Sequence, residues 1–115
     1  MDGSILTDIK KLLGISEQYE NFDQDIILHI NSVFMILNQL GVGPKKPYSI
    51  EDENASWSDF ISDYAELPAI KSYIYMKVRL MFDPPTVGSH VEAMKELIKE
   101  FECRLNYAVD PGEEV

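Results

Sequence analysis

The sequence predicts an all-α protein. The expected architecture is a small bundle of four to five helices around a central apolar helix at about 68–82, with a long loop that has room for a very short hairpin. Three observations predict this. Apolar residues recur at helical spacing in four separate stretches. Each stretch ends at a helix-stopping residue or a chain break in pattern, among them Gly14, Gly41 and Pro84-Pro85. Period-two alternation occurs only at Tyr48-Ser49-Ile50.

Residues 4–13 form the first expected helix. Ile5, Leu6, Ile9, Leu12 and Leu13 share one face, Gly14 suits the left-handed cap, and Ile15 suits the apolar contact beyond it. A polar link with Tyr19 and Phe22 follows. The second helix is expected from about Asp23 to Leu40, capped by Asn21 or Asp23. Its apolar face carries Ile26, Ile27, Ile30, Val33, Phe34, Leu37 and Leu40. Leu28 and Met35 lie nearly opposite, seven residues apart, and need either water or a neighbouring chain to face.

Residues 41–56 form the long loop, rich in Gly, Pro and charge. Ser56-Trp57-Ser58-Asp59 reads as a capping box opening a short helix. Trp57, the only tryptophan, is a core anchor or a contact residue. The central helix follows, with Pro68 in its first turn, where the missing N–H costs nothing. Ile70, Tyr73, Ile74, Val78, Leu80 and Met81 cover most of its circumference. Lys71, Ser72, Tyr75 and Arg79 form the one solvated stripe. Lys77 falls on the apolar side, so it either snorkels to the domain edge or contacts another subunit. Pro84-Pro85 ends this helix. A second capping box, Ser89 to Glu92, opens a last helix to about Tyr107. That helix packs through Val91, Met94, Leu97, Ile98, Phe101 and Leu105, with Glu92/Lys95, Glu96/Lys99 and Glu100/Arg104 outside. Residues 1–109 are expected to be one domain, and 110–115 a disordered acidic tail.

The net charge is -10, which disfavours a general nucleic-acid binder. Charge is uneven: residues 1–66 hold 12 acids and 4 bases, residues 67–109 hold 5 and 6. No apolar run reaches the roughly 18 residues of a membrane span. A single cysteine, Cys103, excludes an internal disulfide and fits no zinc spacing. A reducing cytoplasm, or a particle assembled there, is the expected setting. His29 and His90 lack a partner histidine at metal-binding spacing, and no phosphate loop or nucleophile motif occurs. No enzymatic activity, cofactor or metal is expected.

The strings Trp57-Ser58-Asp59-Phe60 and Lys77-Val78-Arg79-Leu80-Met81-Phe82-Asp83-Pro84-Pro85-Thr86, in this order of helices, resemble the small head–tail connector proteins of long-tailed bacteriophages. The resemblance spans nearly the whole chain. It implies a non-enzymatic virion protein that forms a homo-oligomeric ring beneath the portal protein. Such a ring extends the channel through which DNA passes as cargo and docks a tail or head-closure protein, with no membrane involved. It adds Arg79, Asp83, Pro84 and Pro85 to Leu28, Met35, Trp57 and Lys77 as candidate contact positions. The alternative reading is a small helical protein-interaction or regulatory module without catalysis.

Overall fold

The computed structural model describes residues 3–61 and 66–109, the last three of these without their side chains. Five helices appear among them: α1 (Ile5–Leu13), α2 (Asp23–Gln39), α3 (Trp57–Phe60), α4 (Leu67–Phe82) and α5 (Gly88–Val109). The all-α bundle expected from the sequence is the fold observed. The 110–115 tail lies outside the described residues.

Helix α4 packs against α1, α2 and α5, and α1 packs also on α2. Only Pro68, Ser72 and Met81 of α4 are exposed. Its apolar circumference explains this, since a helix with no wide polar face must be surrounded. Phe22 and His29 near the start of α2 pack edge-to-face against Phe82 at the end of α4. Tyr73 of α4 bonds Glu102 of α5, and Asn106 of α5 reaches the Leu40 carbonyl beyond α2. Helices α2 and α5 therefore run parallel to each other and antiparallel to α4. The molecule is thin, 49 × 35 × 22 Å, about two helix diameters in its shortest direction.

The helix ends mostly follow local chemistry. Ser4 Oγ accepts from the Thr7 N–H, and Gly14 closes α1 at φ 82°. The Asp59 carboxylate accepts from the Ser56 N–H at 3.0 Å, as the capping box requires. An isolated antiparallel bridge between Ser4 and Ser56 ties the start of α1 to the start of α3. At the end of α4, the Asp83 N–H still reaches the Arg79 carbonyl at 2.8 Å before Pro84 stops the helix.

Several expectations are corrected. Tyr48-Ser49-Ile50 forms no strand. The Asn31 amide takes the place of a strand partner, donating to the Ile50 carbonyl at 3.0 Å and accepting from the Ile50 N–H at 2.8 Å. Helix α2 is capped by neither Asn21 nor Asp23: Phe22 occupies the cap with no side-chain bond, and Asp23 is engaged by Lys10. Helix α5 begins at Gly88, so Ser89 lies inside its first turn, and the Val87 carbonyl takes the His90 and Val91 N–H groups. Leu12, Met81 and Leu97 are exposed where a core position was expected, and Met76 is buried. Hydrophobic spacing places a residue on a face but does not say how far the neighbouring helix extends to cover it.

Candidate interaction surfaces

The outer face of α2 is the largest departure from an ordinary solvated helix. Leu28 is 64% exposed and Met35 60% exposed, with Ser32 between them on the same line. From Ile26 to Pro44 the chain has no Asp, Glu, Lys or Arg, its longest uncharged stretch. Fully covered interface cores are depleted in charge in the same way.

The second-longest uncharged stretch, Pro84 to Val91, forms the corner between α4 and α5. Asp83, Pro84 and residues 86–90 are exposed, and Pro85 and Val91 are half-buried. Met81 and Val87 flank the corner with exposed side chains. Arg79 braces it, donating from Nε to the Asp83 carbonyl at 3.2 Å and from a terminal nitrogen to the Tyr75 hydroxyl at 2.9 Å. The Tyr75 hydroxyl, by that bond and then by its charge, holds the Arg79 guanidinium above its ordinary value, with a smaller contribution from Asp83. Beyond the corner, Met94 is partly buried against the core and Ile98 is the first fully buried residue of α5.

The other candidate positions separate. Lys77 is half-buried and makes no hydrogen bond or ion pair among the described residues. Trp57 is 1% exposed and belongs to the core, not to a surface. Its indole N–H donates to Asp8 Oδ2 at 2.8 Å, and Lys71 reaches the same oxygen at 3.3 Å while lying 5.1 Å from the centre of the indole ring. An indole with its N–H satisfied by a carboxylate can be buried fully, and this one joins α1, α3 and α4.

Two polar features lay beyond sequence reasoning. Lys10, on the apolar side of α1, is 2% exposed. Its Nζ donates to the carbonyls of Glu17 and Tyr19 at 3.1 and 2.8 Å and lies 2.8 Å from Asp23 Oδ1. That oxygen is buried and off the hydrogen-bonding direction, so it is held by charge alone. The site borders a concavity of about 210 Å³ lined also by Glu17, Glu20 and Glu53. The position of Lys10 on an apolar stripe was a signal, but its partners come from 7 to 13 residues away. In the second feature, the Tyr73 hydroxyl donates to Glu102 Oε2 at 2.7 Å. Burial, then that bond and the carboxylate's charge, push the Tyr73 hydroxyl well above its ordinary value. Burial, with the nearby charge of Asp59, also raises Tyr48.

Among the described residues no group of His, Cys, Asp and Glu is arranged to hold a metal, and no helix is long and apolar enough to cross a membrane. Cys103 is exposed, and His29 packs against Phe82. The geometry offers two contact surfaces poor in charge, the second braced by Arg79, on a small all-helical bundle. The chain belongs to the phage connector protein family, whose model matches residues 5–112. It thereby has a structural connector role in a phage particle. Comparison with curated proteins and with solved structures gives no match.

Proposed function

We propose that this chain is a head–tail connector subunit that assembles into a ring beneath the portal of the capsid. The ring extends the channel through which DNA passes and docks a tail or head-closure protein. The observation that carries this reading is the family match over residues 5–112. The exposed, uncharged outer face of α2 supports it, because apolar side chains on a small acidic monomer are better covered by protein than by water. The acidic balance also fits a conduit, since like charge keeps DNA from adhering to the wall. In this reading residues 1–109 form the single domain of the subunit and 110–115 its acidic tail. Leu28, Met35, Asp83, Pro84 and Pro85 meet neighbours, as does Lys77. Assembly takes place in the host cytoplasm and the product resides at the head–tail junction.

The test is sedimentation of the purified chain alone and with the portal protein encoded by the same genome. A high oligomer, or co-sedimentation with portal, is expected. A stable monomer that ignores portal at all concentrations would instead favour a regulatory module acting on a single partner.

A further inference from the structure

The chain leaves two exposed surfaces poor in charge, with Asp83 at the edge of the second, and they differ in kind. One is the outer face of α2, around Leu28, Ser32 and Met35. The other is the α4–α5 corner, around Pro84, Val87 and Ser89. They fall within the two longest uncharged stretches of the chain, 26–44 and 84–91, in a protein where charged residues make up 26%. Neither surface covers the other within one molecule.

The absence of charge selects the partner. A basic partner would be drawn to the acidic surfaces of this chain, not to these. Another copy carries the same net charge of -10 and is repelled at most approaches. Two copies come together most easily where each presents the least charge, and apolar burial then supplies the attraction. An α2-to-α2 contact would be self-complementary and would stop at two subunits. A contact between unlike surfaces passes from copy to copy and gives a ring where the rotation between copies closes, and an open filament where it does not.

From these surfaces we infer that the outer face of α2 on one copy seats on the α4–α5 corner of the next. This rests on the ring reading above and gives it a polarity: each subunit offers α2 to one neighbour and the corner to the other. The first half of α5, exposed at Glu92, Ala93, Lys95, Glu96 and Leu97, lies beside the same contact.

Cysteine cross-linking tests the pairing. With Cys103→Ser as background, Ser32→Cys and Ser89→Cys are made singly and together, and each is oxidised at a concentration where the parent sediments as an oligomer, with portal added if required. The double variant is expected to give a ladder of dimers, trimers and higher species, at least tenfold more than either single variant. Strong cross-linking of Ser32→Cys alone, ending at dimers, would overturn the inference in favour of a self-complementary contact. An oligomer in which the double variant does not cross-link would overturn it while leaving the ring reading in place. No association with or without portal would overturn both. Circular dichroism confirms that each variant is folded before it is scored.

Discussion

Lys10 Nζ lies 2.8 Å from Asp23 Oδ1, and this charge contact joins α1 to the first turn of α2 across the intervening link. The same nitrogen holds the Glu17 and Tyr19 carbonyls, so a single buried ammonium sets the path of the link. A buried ammonium is tolerated only when its donors are used, and here three oxygens surround it.

Replacing Lys10 with Met should therefore cost about 1.5–3 kcal/mol, because charge-assisted hydrogen bonds are lost and two carbonyls and a carboxylate are left without their partner. Asp23→Asn should cost less, since both carbonyl bonds remain. Urea unfolding midpoints at unchanged slope would check the order; an Asp23→Asn variant weaker than Lys10→Met would contradict it.

Tyr73 predicts an alkaline limit to stability. Its hydroxyl, ordinarily titrating at 10.0, is raised by burial and by Glu102. The folded state keeps this proton when the unfolded chain has released it. The contribution is thus fully present below pH 10 and is lost as pH rises from there toward the folded value. Thermal unfolding between pH 8 and 11 should show a steeper alkaline decline for the parent chain than for Tyr73→Phe, whose phenyl ring cannot ionise. Parallel curves would refute the assignment.

Asn31 holds the 41–56 loop by bonding both backbone groups of Ile50, which is 3% exposed. Asn31→Ala leaves both groups unpaired, at a cost of about 1–3 kcal/mol. Amide exchange at Ile50 should accelerate far more than exchange within α4. Equal protection before and after would mean that the loop is held by Val42 and Tyr48 packing alone.

Leu28→Asp and Met35→Asp should leave the chain helical, because both side chains are exposed and replace no internal contact. Assembly should fail in both, since burying an unpaired carboxylate replaces an apolar gain of about 1.5–3 kcal/mol per side chain with a penalty. Lys77→Glu should also block assembly if Lys77 meets a partner, and its melting temperature should be unchanged. Sedimentation with and without portal separates these outcomes. Normal assembly of both Asp variants would move the interface elsewhere, with the 42–56 loop next.

Replacing Pro84 and Pro85 together with alanine should loosen the α4–α5 corner. Two locked φ angles are released and the residue before each proline regains helical freedom. Arg79 still braces the corner through the Asp83 carbonyl. Folding should survive while incorporation into particles drops, and unchanged incorporation would show that the corner angle does not matter.

The sequence by itself determined the all-α class with four to five helices in this order, the central position of α4 and the stops at Gly14, Gly41 and Pro84-Pro85, because periodicity, glycine and proline act over one or two turns. It also marked Leu28 and Met35 as lying opposite the packed face of α2. The tertiary structure decided what depends on distant partners. It buried Trp57 by giving its N–H the Asp8 carboxylate, and it buried Lys10 by gathering acceptors from the link and α2. It filled the place of a strand partner for Ile50 with the Asn31 amide, 19 residues away, where the loop had room for a very short hairpin. It left Leu97 and Met81 exposed, Leu97 directly beside the buried Ile98. Local rules assign a residue to a face, whereas burial and hydrogen-bond satisfaction are set by whichever element arrives opposite that face.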